Sequence, residues 1–142
     1  DVASFLAQKK AEAFELSIDE ILIASDTAVL LTNRILNKPQ NTENAIEMLK
    51  SLSGKTHKVC TGVCIKSIEK EVLFSDFTSV TYKQLSTDEI EYYIKQFKPF
   101  DKAGSYGIQE WIGFIGIEKI EGCYYNVMGL PLSKLYQELL DF

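Results

Sequence analysis

After Glu20, the run ILIASDTAVLL is apolar at odd and even positions alike and rich in β-branched side chains through Leu31, and only Ser25, Asp26 and Thr27 interrupt it. A strand with no polar face belongs in a sheet covered on both sides. The rest of the chain must therefore supply helices. Four segments have the pattern. DVASFLAQKKAEAF sets Val2, Phe5, Leu6 and Ala13 on one helical stripe, with Ala3, Ala7 and Ala11 adding propensity, and carries Lys9 and Lys10. NKPQNTENAIEMLKSLSGK offers Asn41 or Thr42 as N-cap, apolar Ala45, Ile46, Leu49 and Leu52, and Gly54 as a stop. Ser86 and Glu89 have the spacing of a capping box that opens a helix through Phe97, and Pro99 follows it. LPLSKLYQELL places Leu132, Leu135, Tyr136, Leu139 and Leu140 on one helical face.

Between these helices lie runs with strand character. The turn signal TNR leads into Ile35 and Leu36, and THKVCTGVCIKSI and EVLFSDFTSVTY flank Glu69 and Lys70 as a hairpin. EWIGFIGIEKI and GCYYNVMG read as a second hairpin turning at Glu121 and Gly122. The interleaving predicts an α/β fold, a mixed twisted sheet flanked by helices. No linker-like stretch divides residues 1–142, a length suited to one domain that buries roughly two-thirds of its unfolded surface.

A net charge of −5 makes the chain repel polyanions, so a nucleic-acid polymer is not an expected partner, whereas a small anion held by a few lysines is compatible. The apolar runs are too short to span a bilayer and the N-terminus lacks a signal-peptide pattern, so no membrane partner is expected and the cytoplasm is the expected location. Cys60, Cys64 and Cys123 form no C-x-x-C pair. Cys60 and Cys64, four apart, share one face of a strand and read as small buried residues.

Asp26 stands out, because a carboxylate in an apolar strand costs several kcal/mol unless it is paired, hydrogen-bonded or functional. The competing reading is a strand residue that binds a nearby backbone amide, helped by Ser25 and Thr27. Lys38 is held extended by Pro39 and could serve as an anion contact or a solvated lysine. In FDKAGSYGIQ, Lys102 could hold an anion while Gly104 and Gly107 admit backbone amides, and Gln109 suits a base edge or a phosphate oxygen. A mobile surface loop would also explain that string, and Asp101 would pair with Lys102 or a neighbour. His57 follows a helix stop with no nucleophile at a telling position and reads as a turn residue. Trp111, Phe114, Tyr124 and Tyr125 could stack on a base, but alternating aromatics on strands more often build core.

Taken in order, SDT, LNKP, LSGKTHKVCTGV, DKAGSYGIQ and GCYYNVMGLPL resemble the Maf family over essentially the whole chain, and DKAGSYGIQ and NVMGLPL are its most specific stretches. The resemblance implies a nucleoside triphosphate pyrophosphatase that cleaves between the α- and β-phosphates with Mg²⁺ or Mn²⁺. The YGIQ form is similar to the branch acting on dTTP and UTP rather than on methylated GTP. By the same resemblance Asp26 is the catalytic base and a metal ligand, Lys10 and Lys38 contact phosphates, and Thr27, Lys102 and Gln109 bind substrate. A homodimer is also implied. The competing class is a non-catalytic nucleotide-sensing or protein-interaction module linked to inhibition of septum formation. Scattered lysines around a carboxylate suit phosphoryl transfer, which depends on positioning and positive charge more than on covalent chemistry. Relatives begin with a strand and a loop bearing a serine and two arginines. The resemblance therefore implies a domain incomplete at its N-terminus, with Arg34 as the only arginine and weak or no turnover expected of the chain as given. Gln8 stands where an arginine is common in relatives, and Lys9 could replace that charge.

Overall fold

The computed structural model describes residues 1–142. Along the chain come α1 (Val2–Glu12), β1 (Leu22–Leu31), β2 (Arg34–Leu36), α2 (Thr42–Leu52), β3 (Thr56–Lys66), β4 (Glu71–Tyr82) and α3 (Thr87–Phe97). A short 3-10 turn at Ala103–Ser105 leads to α4 (Trp111–Gly116), β5 (Ile117–Glu121), α5 (Tyr124–Met128) and α6 (Leu132–Asp141). The five strands form one sheet in the order β2-β1-β3-β4-β5. Helices flank the sheet as expected, but every pairing is antiparallel, so the sheet is not mixed. Short connections explain two of the four pairings. Parallel neighbours need a crossover of about a dozen residues or more, whereas Thr32 and Asn33 alone join β1 to β2 and residues 67–70 alone join β3 to β4. The β3–β4 hairpin closes with Lys66 opposite Glu71, at the turn the sequence predicts.

The two faces of the sheet are packed differently. On one face α1 lies against β1 and β3, with Ala3 in contact with Ala28 and Cys60, and Ala7 and Ala11 with Cys64. The stripe expected to be buried, Val2, Phe5 and Leu6, is exposed, Phe5 by 55%. Gly62 explains the inversion: a Cβ there would stand 2.2 Å from the Ser4 amide nitrogen, so the helix backbone presses onto the strand and only alanines fit between them. Cys60 and Cys64 are buried thiols, as expected, and burial pushes the pKa of both upward.

On the opposite face a cluster of sixteen buried residues joins Val29, Val59, Val80 and Tyr82 of the sheet to Leu49 and Leu52 of α2 and to Ile90, Tyr93 and Ile94 of α3. Both helices start at their predicted N-caps, and their C-caps, Ser53 and Lys98, each lie within one residue of the expected Gly54 and Pro99. The Asn41 side chain accepts from the Asn44 amide at 2.8 Å. Ser86 and Glu89 form the reciprocal capping box at 2.8 and 3.1 Å. His57 is not a turn residue: it is the second residue of β3, 1% exposed, within this face.

The expected C-terminal hairpin does not form. Residues 111–116 are helical, Ile117–Glu121 joins the edge of β4 with Val80 opposite Ile120, and residues 124–128 are again helical. Six residues of alternating aromatic and aliphatic character fit a helical turn as well as a strand, and contact between α4 and the preceding loop decides it, since a Cβ at Gly113 would meet the Ile108 carbonyl oxygen at 1.8 Å. The aromatics are accordingly not strand core: Phe114 is 77% exposed, and Tyr124 and Tyr125 are exposed edge to face, 5.6 Å between centroids. In α6 only Leu135 is buried, against Val63 and Ile65, while Leu132, Tyr136, Leu139 and Leu140 remain exposed. No helix is long and apolar enough to cross a membrane.

Candidate active site

β2 pairs with β1 only at Val29, Leu30 and Leu31, which leaves residues 22–28 of β1 with a single neighbour, β3. A cleft of about 320 Å³ is lined by Ser25, Asp26 and Thr27 of this one-sided segment. The same cleft is lined by Lys10 from α1, Lys38 after β2, Lys102 and Gln109 from the loop after α3, and Val127, Met128 and Gly129 from the end of α5. All six residues singled out from the sequence, Lys10, Asp26, Thr27, Lys38, Lys102 and Gln109, thus face one cavity, whose size suits a small-molecule ligand.

Successive residues of a strand point to opposite faces, so Asp26 and Thr27 are held by different layers. Asp26 lies on the α1 side, its side chain 20% exposed, and the Lys10 ammonium sits 2.8 Å from Oδ1. Lys10 also donates to the Ser25 carbonyl at 2.9 Å. The partner of the carboxylate is therefore a lysine rather than the backbone amide of the competing reading. Lys10 is half exposed, so the pair contributes about 1 kcal/mol or less to folding; its consequence is the fixed direction of the carboxylate.

Thr27 lies on the other side, where its hydroxyl is 2.9 Å from that of Thr61, and Thr61 donates to the Asn126 carbonyl at 2.8 Å. The arrangement that makes both bonds has Thr27 donating, which leaves its lone pairs for the cleft. Asn126 is wholly buried, and its side-chain amide donates to the carbonyls of Val59 and Asp76, each at 3.2 Å, and to the Thr78 hydroxyl at 3.0 Å. Ser25 donates to the Gly129 carbonyl at 3.1 Å. These bonds rivet α5 to the sheet and build the wall formed by residues 127–129. Thr61 and Asn126 were not among the residues the sequence singled out. The available signal was the one that marked Asp26, a polar side chain in an apolar run.

The loop supplies the third wall. Gly104 has φ of 72°, a left-handed conformation, and its missing Cβ would lie 3.1 Å from Val29. Its amide donates to the Asn37 carbonyl at 3.3 Å, tying the loop to the residue before Lys38. Lys102 is 3.3 Å from Asp101, as expected from the sequence. The Asp101 backbone amide, and then the Lys102 ammonium, hold the Asp101 carboxyl below its ordinary pKa. Tyr106 forms part of the wall, and Gln109 is exposed at the rim.

Lys10, Lys38 and Lys102 meet only two carboxylates, Asp26 and Asp101, among the lining residues, so an acidic protein concentrates positive charge in its cleft. That balance suits a ligand with several phosphate oxygens. No group of three or more His, Cys, Asp or Glu side chains could form a closed metal cage. The donor set fits a hard divalent cation of the Mg²⁺ type, which binds through one or two carboxylates together with substrate phosphates and water.

The sequence profile described as Maf-like protein matches residues 1–142. The chain is 52% identical over 141 residues to a dTTP/UTP pyrophosphatase of Flavobacterium johnsoniae, covering 98% of this chain and 73% of that protein. It is 50% identical over 145 residues to a dTTP/UTP pyrophosphatase of Porphyromonas gingivalis, covering 99% of this chain and 73% of that one. It is also 49% identical over 144 residues to a protein of the same description from Parabacteroides distasonis, with 100% of this chain and 75% of that protein covered.

Proposed function

Because this chain belongs to the Maf-like protein family, we infer that it is a nucleoside triphosphate pyrophosphatase acting on dTTP and UTP, a hydrolase of acid anhydrides. Water attacks the α-phosphorus, the bond to the bridging oxygen of the β-phosphate breaks, and the products are a nucleoside monophosphate and pyrophosphate. The observation that carries the assignment of residues is the convergence of Lys10, Asp26, Thr27, Lys38, Lys102 and Gln109 on one cleft.

Asp26 is the general base and takes a proton from the attacking water. Lys10 directs that carboxylate from 2.8 Å and, with Lys38 and Lys102, offsets the charge of the phosphates in the cleft. Thr27 orients a donor through its lone pairs, and Gln109 at the rim offers both a donor and an acceptor. Maf-like nucleotide pyrophosphatases generally use divalent metals, and here Asp26 would hold Mg²⁺ or Mn²⁺, with the cation neutralising phosphate charge when bound. A homodimer is part of the same reading; the exposed Leu132, Tyr136 and Leu140 of α6 favour it, and sedimentation that shows only monomer at all concentrations would remove it.

The test is pyrophosphate release by the full-length gene product with Mg²⁺ from dTTP, UTP, CTP and 7-methyl-GTP. Turnover of dTTP and UTP that falls by about 10²- to 10⁴-fold in Asp26→Asn is the expected result. A folded protein that releases no pyrophosphate from any of the four overturns the reading, and tight dTTP binding without release would instead identify the non-catalytic sensing module.

A further inference from the structure

His57 is the only histidine of the chain, and the chemistry above does not use it. It is buried on the thickly packed face of β3, and burial lowers its pKa to about 4, so the ring is neutral near pH 7. Tyr82 stacks on it at 5.8 Å, and Tyr106 meets it edge to face at 5.4 Å. Its Nε2 lies 2.5 Å from the Tyr106 hydroxyl, while Nδ1 has no partner, so Tyr106 provides the ring's one polar bond. Tyr106 belongs to the loop that carries Lys102 and Gln109 and is itself cleft wall. If this loop swings away, two buried polar groups lose their only partner, and an orphaned buried group costs far more than the bond contributes net.

A second anchor adjoins the first. The Gly107 amide donates to the Tyr93 hydroxyl at 3.0 Å, and Tyr93 in turn donates to Glu110 at 2.5 Å. The loop is thus gripped at two successive residues, four positions after Lys102 and two before Gln109. Gly104 and Gly107 let the backbone follow many paths; the grips at Tyr106 and Gly107, together with the Gly104 amide bond to Asn37, select one.

We propose that His57 is a positioning residue for nucleotide binding: by holding the Tyr106 hydroxyl it fixes the Lys102–Gln109 loop against the cleft, and it touches neither the nucleotide nor the attacking water. The role rests on the reading that Lys102 and Gln109 contact substrate. It predicts an effect on ground-state binding with little on the chemical step, since Asp26 and Lys10 are held by other elements.

The experiment compares wild type, Tyr106→Phe, His57→Leu, His57→Gln and the double variant Tyr106→Phe/His57→Leu in the full-length gene product, by dTTP turnover and by hydrogen exchange of backbone amides. Tyr106→Phe and His57→Leu are expected to raise KM about fivefold with kcat nearly unchanged, as loss of one buried hydrogen bond would. The double variant should be no worse than the poorer single one. His57→Gln, whose amide can still reach the tyrosine hydroxyl, should recover most of the KM. The Gly107 amide should exchange about tenfold faster in Tyr106→Phe, while that of Glu89 at the cap of α3 stays unchanged. An unchanged KM in folded variants, a loss in kcat alone, or additive effects in the double variant would overturn the proposal. Should His57→Leu fail to fold, Tyr106→Phe, which removes only an oxygen, still decides. Should wild type release no pyrophosphate, exchange decides alone: faster exchange at Gly107 supports the clamp and locates the failure in the nucleotide reading, and unaltered exchange sinks the clamp.

Discussion

Along β3, residues one apart in number meet different surroundings. Cys60, Gly62 and Cys64 lie under the alanines of α1, where helix and strand backbones nearly touch. Val59, on the reverse side, lies within a cluster that includes Leu49, Leu52, Tyr82 and Tyr93. On the first face position is set by what is missing, since α1 sits where the absent side chain of Gly62 allows. On the second it is set by volume, which many side chains share. The candidate active site draws on both. Asp26 and Lys10 belong to the thin face, whereas Thr27, Tyr106 and residues 127–129 belong to the thick one. The lesson is that the acid–lysine pair depends on how closely two backbones approach, and the opposite wall of the cleft on the packing of many side chains.

Four measurements test whether the two faces act independently. The largest effect is expected from Leu49→Ala in the middle of the thick face: a loss of about 2–5 kcal/mol in denaturant unfolding, with kcat/KM of the remaining folded protein close to wild type. A comparable loss of activity without loss of stability would show that the thick face is not a shared scaffold. Next comes pH. The folded-state pKa of His57, about 4, lies below the ordinary 6.5, so the unfolded chain binds more protons between those values. Stability must therefore fall as pH drops from about 6.5 towards 4, by at most roughly 3 kcal/mol, and the share due to His57 should vanish in His57→Gln. An identical acid slope in wild type and variant would exclude a buried neutral imidazole.

Gly62→Ala tests the thin face. The added Cβ meets backbone within 3 Å, so α1 must shift, and the expected loss is about 1–3 kcal/mol. Activity should fall by more than stability, because Lys10 moves relative to Asp26, and a misplacement of about 1 Å can cost on the order of 10²-fold. Unchanged kcat/KM in the folded variant would separate α1 from the chemistry. The smallest effect is predicted for Phe5→Ser. If alanines are the buried face of α1, replacing this exposed ring, which only lies 5.5 Å from the Lys9 ammonium, should change stability by about 0.5 kcal/mol or less. A loss of 2 kcal/mol or more would restore the larger apolar stripe as the packed face.

Local signals were legible where they act through neighbours in sequence. Asn41, Ser86 and Glu89 cap their helices because a side chain three residues away can reach an unpaired amide, and the β3–β4 turn forms where the polar residues fall between two strand-like runs. WIGFIG was misread because a segment so short has no decisive period, and its helical form depends on Gly113 packing against the Ile108 carbonyl. The stripe of α1 was misread for a related reason. Periodicity tells which residues share a face, but not which face finds a partner.

The polar inventory and the family are written in the chain itself: Asp26 in an apolar strand, lysines at 10, 38 and 102, and motifs specific enough to name the relatives and the chemistry they carry out. Tertiary structure decided that these groups meet. Lys10 and Gln109 are 99 positions apart in the chain, and they share a cleft because β2 is too short to cover the first half of β1 and because Gly62 brings α1 down onto the sheet. Contacts of that kind depend on the shapes of two distant surfaces at once, and a linear pattern records the shape of neither.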